Sequence, residues 1–130
     1  MTNKLMILKS DNLIYFDVDE TLVFWRTDNY NDSDLIKVPD PYMREGQSFV
    51  KMVPHKRNID LLKRNKGQGR SVVVWSAGGV FWAESVIKTL KLENYVDLII
   101  AKPSVYVDDR PMETWGLNRI YLSKNLPEHG

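Results

Sequence analysis

The sequence predicts an α/β fold in which a mostly parallel sheet is flanked by helices, and three observations carry that expectation. Short β-prone apolar runs end in polar or acidic residues: Asn12–Phe16 leads into Asp17, Ser71–Trp75 into Ser76, and Val105–Val107 into Asp108. Near-continuous apolar runs of this length suit strands covered on both faces, as in parallel sheets. Helical periodicity occupies the stretches near 55–66 and 79–91, and helices set between β-runs favour a layered α/β sheet.

Along the chain, Met1–Lys9 reads either as an extra strand or as a frayed arm, and both readings stay open. The strand near 12–16 delivers Asp17, Asp19 and Thr21 to the carboxyl edge, where open α/β sheets place their ligands. Residues 23–54 read as a flap: a polar loop over Thr27–Asp34, then alternating segments at Leu35–Val38 and Ser48–Val53 that turn around Arg44, Glu45, Gly46 and Gln47. A helix near 55–66 is stopped by Gly67 and Gly69. After the strand at 71–75, a helix near 79–91 places Val80, Ala83, Ile87 and Leu90 on one stripe, read as core. Further strands are expected near 105–107 and 119–122. A strand at 97–101 conflicts with one at 105–107, because a parallel crossover takes about a dozen residues or more. Either 97–101 is a short edge or antiparallel piece, or the chain bends at Pro103 to bring Lys102 back toward Asp108.

The 130 residues, 43% hydrophobic and 27% charged, supply one core, so residues 1–130 are read as a single domain. There is no cysteine, which excludes a disulfide framework and a thiolate metal site and fits a reducing compartment. No apolar stretch approaches the roughly 20 residues of a membrane span. Met1–Ser10 lacks a small-residue cleavage site after an apolar stretch. The expectation is a soluble cytoplasmic protein with no membrane partner.

The acidic turn after the first strand names a chemistry only in company. Asp17, Asp19 and Thr21 form a DxDxT pattern, which by itself is an ordinary solvated turn. A calcium loop is excluded, since it needs Asp or Asn and then Gly where this chain has Thr21 and Leu22. Three more elements follow in order: Ser76 after its apolar run, Lys102 within Ala101-Lys102-Pro103, and the acid pair Asp108 and Asp109. Taken singly, these are a turn residue, a surface lysine and a loop pair. Together and in this order, the four resemble the motifs of the haloacid dehalogenase superfamily of aspartate-nucleophile phosphotransferases, over roughly residues 12–123.

That resemblance implies a Rossmann-like layout and a magnesium-dependent phosphomonoester hydrolase working through an aspartyl-phosphate. It assigns Asp17 as nucleophile and Asp19 as the acid/base that protonates the leaving oxygen and then activates water. Lys102 would set a fixed positive charge against Asp17 and the phosphoryl group. The Ser76 hydroxyl and the backbone N–H groups after it, from Ala77 onward, would hold phosphate oxygens. Magnesium would be held by Asp17, the Asp19 carbonyl and Asp108, with Asp109 assisting directly or through water. Thr21 is expected to fix the turn through its hydroxyl.

Spacing narrows the picture. Family members with cap domains carry them after the first motif or between the second and third, yet Ser76 to Lys102 leaves room for little more than a helix and a strand. A capless, open site beside a hairpin flap is therefore expected, with a phosphorylated substrate such as a nucleic-acid end, a nucleotide or another bulky phosphate. The net charge of +1 hides an uneven distribution: Asp28, Asp32, Asp34 and Asp40 lie in the flap, while Lys51, Lys56, Arg57, Lys63, Arg64, Lys66 and Arg70 follow it. That basic stretch reads either as a track for a nucleic-acid backbone, with Trp25, Tyr30, Tyr42 or Phe49 stacking on bases, or as a solvated helix face bearing an Asp60–Arg64 pair. His55 is read as a cap or surface residue. The alternative function is a phospho-acceptor module of receiver type, which holds an aspartyl-phosphate without fast turnover. Receivers, however, place their acceptor acid in mid-chain, and no Asp follows a β-run between Leu61 and Ser76.

Overall fold

The computed structural model describes Leu5, Ile7, Leu8 and residues 12–111. The strand expected near 119–122 lies outside the described residues, as does most of Met1–Lys9. In chain order the elements are β1 (Leu13–Asp17), β2 (Val23–Phe24), β3 (Ile36–Pro39), β4 (Phe49–Pro54), α1 (Lys56–Gly67), β5 (Ser71–Ser76), α2 (Val80–Thr89) and β6 (Leu98–Ala101), with short 3-10 turns at Asp32–Asp34 and Glu93–Tyr95.

The strands form two sheets. In the first, β5 lies between β1 and β6, and both neighbours run parallel to it. Val72, Val73 and Val74 of β5 are fully buried, as a central strand with both faces covered requires. The mixed α/β expectation, with a parallel sheet and helices, holds. The register sets Asp17 opposite Trp75 and Ser76 opposite Ala101, so all three strands end along one edge.

The conflict at 97–107 resolves in favour of 98–101, a short edge strand that is parallel rather than antiparallel. Residues 105–107 are a correction: they form no strand, and Val105 and Val107 stand 80% and 98% exposed. Three residues after β6 cannot carry a crossover to a further parallel strand. The link before β6 is tied down by Asp97, whose carboxylate accepts from the Val72 N–H at 2.7 Å and pairs with Lys66 at 2.7 Å.

In the second sheet, β4 lies between β2 and β3 and is antiparallel to both. The expected hairpin is present as β3 and β4, and the two residues of β2 add a third strand too short for an alternation to announce. Val50, Met52 and Val53 of β4 are buried. The sheet joins the rest of the molecule through α2, against which β3 packs, with the Ser85 hydroxyl donating to the Pro39 carbonyl.

The buried face of α2 is Trp82, Ala83, Val86 and Ile87, which revises the predicted stripe at its start, where Val80 is 38% exposed. Leu90, the C-cap, packs half-buried against the core as expected. The helix begins after Gly79, at φ +96°, with Val80 and Phe81 exposed and Trp82 and Ala83 already in the core. One continuous core then links Phe16, Val18, Leu22, Val38, Met52, Leu62, Val74, Trp82 and Ile87 across both sheets and helices. Each such side chain contributes about 1.5–3 kcal/mol of transfer free energy.

Helix α1 is anchored beneath the acidic turn. His55 is its N-cap, accepting from the Asn58 N–H at Nδ1, and its own N–H donates to Leu22. The Asn58 amide donates to the Thr21 carbonyl at 2.8 Å. The Asp60–Arg64 pair is absent from the ion pairs of the described residues, consistent with how little an exposed pair gains in water. No helix among the described residues is long and apolar enough to cross a membrane.

Candidate active site

The carboxyl edge of the parallel sheet gathers Asp17, Asp19, Thr21, Ser76 and Lys102. Asp17 ends β1 about one-third exposed, with each carboxylate oxygen engaged: Oδ1 is 3.0 Å from Lys102 Nζ, and Oδ2 accepts from the Thr21 hydroxyl at 3.2 Å. Lys102 reaches this position because it follows β6 directly and its backbone N–H donates to the Ser76 carbonyl at 3.0 Å, extending the β5–β6 ladder by one bond. Thr21 sits where the chain turns back on Val18, whose carbonyl accepts from the N–H groups of Thr21, Leu22 and Val23.

Asp19 is fixed by residues that the motif alone does not reveal. Its Oδ1 accepts from both the Trp25 indole at 2.8 Å and the Trp82 indole at 3.0 Å, and the two rings stack with centroids 5.4 Å apart. Its Oδ2 faces the Ser76 hydroxyl at 3.4 Å, a long contact. Ser76 is fully buried, and its Oγ also accepts from the Gly78 N–H at 3.0 Å, closing a tight turn over Ser76, Ala77, Gly78 and Gly79 that opens into α2. Ala77 is exposed on this turn. N–H groups at the start of a ten-residue helix favour an anion in front of them.

Asp108 and Asp109 lie on the exposed, irregular chain after β6. Asp109 and the Arg110 N–H hold the Asp108 carboxyl below the ordinary carboxylate range. Asp109 itself approaches Arg110 at 3.9 Å. Among the described residues, no group of three or more His, Cys, Asp or Glu side chains is placed to hold a metal ion. Hard carboxylate oxygens are the donors magnesium prefers, but here Asp17 engages Lys102 and Thr21 rather than further carboxylates. Asp17 at the end of β1 and Asp108 and Asp109 on the exposed chain after β6 are the carboxylates that would supply hard oxygen donors to such an ion.

The basic stretch is largely occupied locally. Lys51 pairs with Asp32, Lys63 lies over Tyr95, Lys66 pairs with Asp97, and Arg70 donates to Asn65. Of the aromatics considered for base stacking, Trp25 is committed to Trp82 and Asp19, and Phe49 lies under Lys37. Sequence reasoning missed Trp82 and Arg44 as neighbours of the site. Trp82 falls off the stripe first assigned to its helix, and Arg44 reads as a hairpin turn residue. Compared with protein-family models and with curated proteins, the chain gives no match to either.

Proposed function

We propose that this edge is the active site of a phosphomonoester hydrolase that works through an aspartyl-phosphate on Asp17. The observation that carries the reading is the 3.0 Å pairing of Asp17 with Lys102 where β1, β5 and β6 all end, beside the Ser76–Gly79 turn. A carboxylate approaching a phosphate meets charge repulsion. A lysine ammonium, turn N–H groups and a helix N-terminus are the means to offset it.

In the proposed reaction an Asp17 oxygen attacks phosphorus, the bond from phosphorus to the ester oxygen breaks, and Asp19 gives that oxygen its proton. Asp19, then a carboxylate, takes a proton from water whose oxygen attacks phosphorus, releasing inorganic phosphate and restoring Asp17. Two indole N–H groups occupy Oδ1 of Asp19, which leaves Oδ2, with only the long Ser76 contact, for the proton transfer. Lys102, Ser76 and the Ala77 N–H hold the phosphoryl oxygens. Asp17, Asp108 and Asp109 would hold magnesium through carboxylate oxygens, and the ion would offset charge on the phosphoryl group.

The site is read as capless, with 23–54 as a flap, since the connection from β5 to β6 holds α2, one 3-10 turn and nothing larger. The deciding experiment assays phosphate release from a generic aryl phosphate and from a panel of phosphorylated metabolites and oligonucleotide ends, with magnesium and with excess chelator. Metal-dependent release, with acid-trapped phosphate on Asp17, is expected. A stable phospho-Asp17 without release would favour the receiver-type module, and neither product would end the proposal.

A further inference from the structure

The loop between β3 and β4 brings a second cation to this edge. Asp40 opens the loop and is buried, yet it accepts from the Tyr42 N–H at 3.0 Å, the Arg44 N–H at 3.1 Å and Arg44 Nε at 3.2 Å. Burial pushes its carboxyl up, and these donors outweigh that, so the net effect lies below the ordinary range and Asp40 stays an anion. The guanidinium it anchors lies 4.4 Å from the Trp82 ring centroid, 5.3 Å from Trp25 and 5.7 Å from Tyr42. Arg44 is thus fixed through Nε by an ion pair and lies against the same two indoles that hold Asp19.

Arg44 NH1 lies against the Ser76–Gly79 turn. A Cβ placed on Gly78 would lie 3.3 Å from Arg44 NH1, 3.3 Å from Ser76 Oγ and 3.0 Å from Trp82 Cδ1. One placed on Gly79 would lie 2.7 Å from the Tyr42 hydroxyl. Glycine at both positions lets the loop close onto the turn. Among the described residues NH1 and NH2 make no hydrogen bond, and the side chain is 35% exposed, so solute can reach it.

From this geometry we infer that Arg44 is a substrate-binding residue, its NH1 and NH2 edge donating to a phosphate oxyanion seated on the Ser76–Gly79 turn. The inference rests on reading that turn as the phosphate cradle and makes the β3–β4 loop part of the site. A planar fork already immobilised loses little conformational freedom on binding and matches a phosphate with two parallel donors. Lys102 and Arg44 arrive from different sheets, so the anion gains a second cation besides the one paired with Asp17.

Two measurements with inorganic phosphate as the probe test this. In the wild-type protein, phosphate should slow phenylglyoxal modification of Arg44, read by peptide mass spectrometry, while exposed Arg26 and Arg110 react unchanged. By calorimetry, Arg44→Met should weaken phosphate binding about tenfold or more, with Arg44→Lys between it and wild type. An unprotected Arg44, an unchanged affinity in a folded Arg44→Met, or a wild type that binds no phosphate would each overturn the inference. If Arg44→Met does not fold, the protection experiment decides alone. Turnover is read separately: a wild type that binds phosphate through Arg44 yet hydrolyses no ester would sink the hydrolase reading and leave the Arg44 site standing.

Discussion

At the scale of single residues, the candidate chemistry depends on two carboxylates held in different ways. Asp17 has one ammonium and one hydroxyl partner and is reachable from solvent, whereas Asp19 is clamped by two indoles and a buried serine. Asp17→Asn keeps the shape and removes the nucleophilic oxygen, so phosphate release should fall by on the order of 10³-fold or more, with the circular-dichroism spectrum and melting curve retained. Asp19→Asn should slow both leaving-group protonation and water attack, by about 10²–10⁴-fold. Substantial turnover in folded Asp17→Asn would remove that residue from the nucleophile role. Trp82→Phe separates support from chemistry, since it deletes one N–H to Asp19 while Trp25 keeps the other. Stability should drop by about 1.5–3 kcal/mol in urea titration, while kcat falls less than in Asp19→Asn.

The elements explain why those side chains meet. Helix α1 is pinned to the acidic turn through His55 and Asn58, so its cap is coupled to the geometry of Thr21 and, through it, of Asp17. Burial of His55, assisted by the charge of Arg57, disfavours the imidazolium and holds its pKa below 6.5. A base depressed in the folded state leaves the unfolded chain holding more protons. Its stabilisation is therefore complete above about pH 6.5 and declines as pH falls from there through the folded value. Protonation would also abolish the Nδ1 acceptor that caps Asn58. Urea midpoints measured from about pH 8 down to about pH 5 should decline less in His55→Asn, which caps without titrating. Identical slopes in the two proteins would show that this imidazole does not govern acid stability.

Across the whole molecule, the proposal turns on access. An edge bordered by a small antiparallel sheet, with no larger insertion between β5 and β6, suits phosphate groups on extended molecules. Small esters, offering little remote binding energy, should have the lower kcat/KM. If the favoured substrate is an oligonucleotide end, Lys56→Gln with Arg57→Gln should weaken its binding and flatten the salt dependence, with aryl phosphate turnover unchanged. Both residues are exposed at the start of α1, while Lys51, Lys63, Lys66 and Arg70 have local partners. An unaltered salt dependence would return this helix to a solvated face.

What the sequence determined by itself is what local pattern encodes. The apolar runs at 12–16 and 71–75, the stop of α1 at Gly69, though Gly67 is its last helical residue, and the order of Asp17, Ser76 and Lys102 were legible because burial and capping act on neighbours in the chain. The pairing of Lys102 with Asp17 needed the structure, since only parallel registry of β6 on β5 carries residue 102 to the end of β1. Val105–Val107 shows the limit of pattern: a β-prone run forms a strand only where the connection can carry it to a sheet edge, and three residues after β6 are too few for a parallel crossover. The clamp of Trp25, Trp82 and Arg44 around the site was invisible for the same reason. Its members come from a two-residue strand's flank, a helix and a loop, and nothing but tertiary packing brings an indole from α2 and a guanidinium from the β3–β4 loop within reach of Asp19 and Gly78.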